Sequence, residues 1–257
     1  MNLILLAATI LLPGALCIQA GDLGTVPDAL KQDLSKAGQT ISGQKPADMQ
    51  DFHLPFNRSV PEEMRRQMIE DMVFISGIRG QGRASVMHRY DFGLMAGDFY
   101  IDFFRQHVRH IAFKANKKNN GQIASLYRIG GWSEMRLTAY FTTHDVPQIG
   151  RMETLMHEAW HADDRCQDHV PCPSPFPFQG EEGVDTTKLA GERACDGSIN
   201  GAYGATAIML QNIVRFCANC SEKVLADAKR YGYYDGYIRL VNQRDRELLD
   251  ADIKNEN

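Results

Sequence analysis

Met156-His157-Glu158-Ala159-Trp160-His161 is the stretch on which the reading of this chain turns. Met152, Leu155, Met156 and Ala159 recur at helical spacing, which predicts a helix starting near Gln148 or Gly150 and carrying the whole stretch. Residues four apart on a helix share a face, so His157 and His161 can grip one ion while Glu158, next in line, reaches a water on that ion. Two imidazoles from one helix suit Zn²⁺, which in a catalytic site takes a third protein ligand and keeps one position open.

Candidates for that third ligand lie downstream. Residues 163–185 hold four prolines, at 171, 173, 175 and 177, together with Cys166 and Cys172, which makes a long irregular loop of the kind that often carries function. Asp185 or Thr186 then caps a second long helix, predicted to run through Leu189, Ala194 and Ile199. Glu192 and Asp196 stand four apart on it, so Glu192 can bind the metal while Asp196 accepts the ring N–H of His157 or His161. His169 and Glu181 are further ligand candidates.

His157-Glu158-Ala159-Trp160-His161 followed by Glu192-Arg193-Ala194-Cys195-Asp196 resembles the gluzincin branch of the zincin zinc metallopeptidases, in which H-E-x-x-H on one helix is completed by E-x-x-x-D on a second. The resemblance covers roughly residues 135–205. It implies Zn²⁺ held by His157, His161 and Glu192, with Glu158 as general base and Asp196 behind the ligands. It also implies that a strand near Arg136–Thr142 lines up an extended peptide substrate. A metzincin would need Gly at 164 and His or Asp at 167, where this chain has Asp164 and Gln167. An aspzincin arrangement would draw its ligand from Asp164, Asp168, Asp185 or Asp196. Candidate donors to a developing oxyanion are Tyr203, His169 and the group Tyr231, Tyr233, Tyr234 and Tyr237, the last of which reads first as packing.

The flanking sequence predicts an α+β fold, predominantly helical, with a zincin-like catalytic domain and a small antiparallel sheet over the active-site helix. Ser59-Val60-Pro61-Glu62 reads as a capping box opening a helix through Met64, Met68 and Met72. Phe99, Phe103, Val108 and Ile111 predict one buried helix across 92–113, on which His107 and His110, lacking acidic company, read as surface or core residues. Gln122–Ile129 and Arg136–Thr142 read as two strands joined at Gly130-Gly131. Ser221-Glu222 opens a helix to about Tyr231, and the charged tail from Gln243 reads as frayed.

Residues 1–20 end an apolar run at Ile18-Gln19-Ala20 and read as a cleaved export signal, which places the mature chain in the periplasm or outside the cell. Residues 21–58 read as a polar leader or pro-segment, and 59–257 as the metallopeptidase domain. Once the signal is removed, no remaining segment is long and apolar enough for an integral membrane span. Five cysteines follow the signal. The favoured arrangement bridges Cys166 and Cys172, to each other or to the Cys217/Cys220 pair, leaves Cys195 as a thiol, and treats the C-x-x-C as a structural disulfide. Twenty-eight basic against 32 acidic residues give a formal charge of −4, with no bulk positive field for a nucleic-acid partner. Asn57-Arg58-Ser59 and Asn219-Cys220-Ser221 match the glycosylation acceptor pattern of a eukaryotic secretory pathway. These features predict a zinc metallopeptidase acting on protein or peptide substrates. The rivals are a zinc hydrolase of a non-peptide amide and a secreted metal-binding protein without turnover.

Overall fold

A computed structural model of the chain describes residues 52, 54–115, 122–143, 146–180 and 184–254. The expected signal and most of the expected leader lie outside these residues. Phe52 is buried in the core, and Phe56 bridges to Ile111, so the folded unit takes in residues before 59.

Helix α1 (Glu62–Gly77) buries Met64, Met68 and Met72, as their spacing of four requires. Pro61 stands at its N-cap, and the Ser59 hydroxyl instead accepts the Phe113 N–H at 3.2 Å. Glu62 and Glu63 place negative charge against the positive end of the helix. The single helix expected across 92–113 is three elements. Helix α2 (Val86–Phe92) stops at Gly93, α3 (Gly97–His107) stops at Val108, and β1 (His110–Phe113) follows. The aromatic spacing was helical only as far as His107, and Ile111 takes its burial from a strand.

Strands β2 (Ala124–Ile129) and β3 (Trp132–Leu137) form the expected hairpin. Gly130 and Gly131 turn it at φ 54° and 83°, a conformation open to glycine at little cost. The sheet order is β1-β3-β2, with β1 parallel to β3, so the sheet is mixed rather than antiparallel. The strand expected over Arg136–Thr142 begins earlier and ends at Leu137. The Thr138 hydroxyl then accepts the Tyr140 N–H and the chain winds into α4 (Tyr140–Thr143).

Helix α5 (Gln148–Trp160) carries the H-E-x-x-H stretch and is buried from Ile149 to Trp160. It lies among α1, α3, β2 and two later helices, so it has no solvent face. Arg151 on α5 reaches Asp71 on α1 through two hydrogen bonds of 2.7 and 2.8 Å. Burial pushes the Asp71 carboxyl up to about 6, and Arg151 pulls the other way.

The long helix expected from residue 186 is absent. A 3-10 turn (Thr186–Leu189) capped by Asp185 is followed by β5 (Cys195–Asp196), antiparallel to β4 (His169–Val170). The Cys172–Cys195 disulfide ties the chain just beyond β4 to β5, and the second bridge is Cys217–Cys220. Cys195 is therefore not a thiol, and Cys166 belongs to neither bridge. The antiparallel ladder sets Val170 against Cys195 and brings Cys172, two residues on, within reach of it, which no spacing rule could have announced. Helix α6 (Ala202–Phe216) and α7 (Glu222–Tyr234) follow, α7 capped by Ser221 as expected. The tail from Gln243 is an ordered helix, α8 (Gln243–Lys254), which buries Leu249. Its Asp245 and Asp252 accept the Ile199 and Met87 N–H groups at 2.8 and 3.3 Å. Among the described residues no helix is long and apolar enough to cross a membrane.

Candidate metal centre

His157 sits in the last turn of α5 and His161 at its C-cap, their ring centroids 5.0 Å apart. Beyond His161 the chain turns back through Asp163 and Cys166 into β4, which delivers His169 to the same place. One ligand atom from each of His157, His161 and His169 lies within 4.8 Å of the others, and all three side chains are buried.

The bonding of the rings suits a shared cation. His157 Nε2 and His161 Nε2 face each other at 3.3 Å, and His169 Nε2 is buried without a hydrogen-bond partner. Burial, then His161 and His169, hold the His157 pKa well below its ordinary value, which keeps that ring neutral and its lone pair available. The opposite ring nitrogens face three different groups. His169 Nδ1 bonds Asp196 Oδ1 at 2.7 Å, His161 Nδ1 lies 3.3 Å from Cys166 Sγ, and His157 Nδ1 lies 3.9 Å from Glu153 Oε1. A carboxylate on Nδ1 fixes the proton there and turns Nε2 toward the metal.

Asp196 is anchored on every side. It faces His169 across the β4–β5 ladder, its Oδ2 accepts the Gly204 N–H at 3.1 Å, and its carbonyl accepts the Val241 N–H at 3.0 Å. A Cβ on Gly201 would stand 2.1 Å from the Asp196 carboxyl carbon, so that position has to be glycine for the carboxylate to lie where it does. Asp196 thus supports an imidazole, and the one it supports is His169 rather than His157 or His161.

Glu192 is exposed in a turn and is not part of this cluster. Its carbonyl accepts the Cys172 N–H at 2.7 Å while its side chain faces solvent. The i, i+4 alignment of Glu192 with Asp196 needed a helix, and in a turn leading into a strand the two point apart. Asp164 and Asp168 are exposed, the former paired with Arg128 at 2.5 Å, and Asp185 is an exposed cap. Glu181 lies outside the described residues. His107 pairs with Asp163 at 3.3 Å, and the His110 ring packs at a tilt against Trp132.

Glu158 is 1% exposed, and neither carboxylate oxygen has a hydrogen-bond partner. Burial pushes its pKa up to about 8, with the nearby Leu126 N–H of β2 pulling it down. The Tyr203 ring stacks on His169 at 4.7 Å and lies 4.4 Å from His157. Its hydroxyl accepts from buried Arg239 at 3.1 Å, and Arg239 also donates to Asp235 and to the Tyr234 and Ala194 carbonyls. Of the other tyrosines, Tyr231 packs on Gly150, Tyr237 donates to Asp250 and Tyr233 is exposed. The roles of Glu153, Cys166 and Arg239 were not read from the sequence. Only Glu153, four residues before His157 on one helix, left a spacing signal.

The chain matches no protein-family model, no curated protein and no solved structure.

Proposed function

We propose that the chain is a zinc-dependent hydrolase of peptide bonds, with His157, His161 and His169 as the metal ligands and Glu158 as general base. The observation that carries this reading is the meeting of three buried imidazoles, one of them next in sequence to the buried carboxylate of Glu158. Three imidazole nitrogen donors suit zinc in a catalytic site. The proposal puts His169 where the gluzincin resemblance puts Glu192, and so keeps only the H-E-x-x-H half of that resemblance.

Bound zinc would supply Lewis acidity that polarises an amide carbonyl and acidifies water. Glu158, as general base, would take a proton from water and return it to the leaving amine. Asp196 holds the proton on His169 Nδ1, and Tyr203 remains the candidate donor to the oxyanion, since its hydroxyl accepts from Arg239 and keeps its own proton to give. An extended substrate has a strand to pair with. The Thr138 N–H bonds the Ile123 carbonyl, so by alternation the backbone groups of Ala124, Leu126 and Arg128 face away from β3. Strand β3 is flanked by β1 and β2, so the peptide-aligning role expected of Arg136–Thr142 passes to β2 at the sheet edge. Two disulfides suit an exported chain.

Zinc content by elemental analysis, beside a protein-digestion assay with and without chelator, tests the reading. One zinc per chain is expected, lost in His169→Ala and kept in Glu192→Ala. Glu158→Gln should keep the zinc and lose about 10²–10⁴-fold in cleavage rate. Zinc without cleavage of proteins or peptides would favour another amide or a structural site. A folded chain that takes up no zinc ends the proposal.

A further inference from the structure

The two glycosylation acceptor patterns have opposite surroundings. Asn219 is half-buried, with both ends of its side-chain amide in use. Its Nδ2 donates to the Gly77 carbonyl at 2.8 Å, and its Oδ1 accepts the Arg79 N–H at 2.9 Å. These bonds fasten the end of α1 to the loop closed by the Cys217–Cys220 disulfide, and Cys220 is the middle residue of the pattern itself. A sugar on Nδ2 would have to occupy the space of the α1 terminus.

Asn57 is exposed, and its backbone is fixed while its side-chain nitrogen is left over. The Asn57 N–H donates to the Ile111 carbonyl at 2.7 Å, and its own carbonyl accepts from Arg65 at 2.6 Å. Its Oδ1 accepts the Ser59 N–H at 3.2 Å, and Ser59, the hydroxyl residue the pattern requires, is exposed as well, its Oγ accepting the Phe113 N–H at 3.2 Å. Asn57 also lies on the outer side of β1, through the bridge of Phe56 to Ile111. In the order β1-β3-β2 this is the sheet edge opposite the one that passes Glu158, about 10 Å away across two strand spacings.

We infer that Asn57 is the N-glycan acceptor of this chain and that Asn219 is not. In the transfer, Asn57 Nδ2 attacks the anomeric carbon of a lipid-pyrophosphate-linked oligosaccharide. The N–C bond forms, the C–O bond to pyrophosphate breaks with its electron pair leaving on the lipid pyrophosphate, and the Nδ2 proton passes to the transferase. The glycan then stands on residues 55–57, which pair along the outer side of β1, and away from the β2 edge.

The inference rests on the export reading in its eukaryotic form, so the test supplies export and the transferase separately, by placing the full chain behind the secretion leader of a eukaryotic host. Intact mass is measured on all chain recovered from medium and cells, before and after enzymatic release of N-glycans, for the wild type, Asn57→Gln, Ser59→Ala and Ser221→Ala. One glycan is expected on the wild type and on Ser221→Ala, which removes the second pattern while keeping the Asn219 side chain. None is expected on Asn57→Gln or Ser59→Ala, and the Asn-to-Asp change left by release should map to residue 57. A wild type without glycan, or a glycan that survives Asn57→Gln, overturns the assignment. A glycosylated wild type with less bound zinc than its enzymatically released form would overturn the placement of the glycan away from the cluster.

Discussion

His157 and His161 stand on a helix buried along its length, whereas His169 stands on a two-residue strand inside an irregular stretch. Both routes end within one cluster, but different forces hold them. On α5 the register is fixed by packing on all sides and by the Arg151–Asp71 pair, so the two imidazoles inherit the precision of the core. Around β4 there is little core to inherit, and position is set by a few specific bonds: the Cys172–Cys195 bridge, the His169–Asp196 hydrogen bond and the Arg193 bond to the His169 carbonyl at 2.8 Å. Helical residues are placed by many weak contacts, and the loop-borne histidine by a few strong ones.

The helix side of this contrast breaks most severely at Asp71. Asp71→Ala leaves Arg151 buried without its carboxylate, and the expected cost is about 3–5 kcal/mol in urea unfolding; a cost under about 1 kcal/mol would mean the pair does not hold α5. The loop side breaks at its bridge. Removing Cys172 and Cys195 together should cost about 3 kcal/mol from loop closure, against about 2 kcal/mol for the short Cys217–Cys220 loop. Only the first pair should lower zinc affinity, and equal zinc titrations for the two double variants would undo the link between bridge and ligand.

His88 sharpens the contrast as a buried imidazole satisfied by protein alone. Its Nδ1 faces the Gly93 carbonyl at 3.2 Å and its Nε2 the Tyr100 hydroxyl at 2.7 Å, and burial lowers its pKa from 6.5 to about 4. The unfolded chain therefore binds a proton that the folded chain refuses between those two values. The stability that neutral His88 contributes is complete above pH 6.5 and is lost as pH falls through about 4. The stability gap between metal-free wild type and His88→Gln should narrow by about 3 kcal/mol from pH 7 to pH 4; a constant gap would show that the ring is not held neutral. The smallest effect belongs to Asp196→Asn. It keeps the shape but weakens the grip on His169, and zinc affinity should drop about 10–100-fold with little change in the unfolding midpoint.

What could be read in the sequence follows the same division. Met64, Met68 and Met72, the Ser221 cap, the Gly130-Gly131 hairpin and the helix carrying His157 and His161 all announce themselves through local spacing. Glu192 was misplaced because helical periodicity was extended into a stretch whose backbone answers to a disulfide and a strand pairing between residues 23 and 27 apart in sequence. The parallel pairing of β1 with β3 and the docking of α8 are likewise contacts between distant segments. Neither leaves a periodic trace in its own residues.

The anchoring of Asp196 also has a consequence for how the protein is made. Its carbonyl is bonded by Val241, its neighbour Ile199 is capped by Asp245, and the Arg239 that orients Tyr203 lies in the same late stretch. A chain emerging from the ribosome can pack α1, the sheet and α5 long before residues 239–245 are available, so the third histidine is fixed only when synthesis is nearly complete. Nascent or C-terminally shortened chains would hold two imidazoles on a finished helix and lack the means to fix the third.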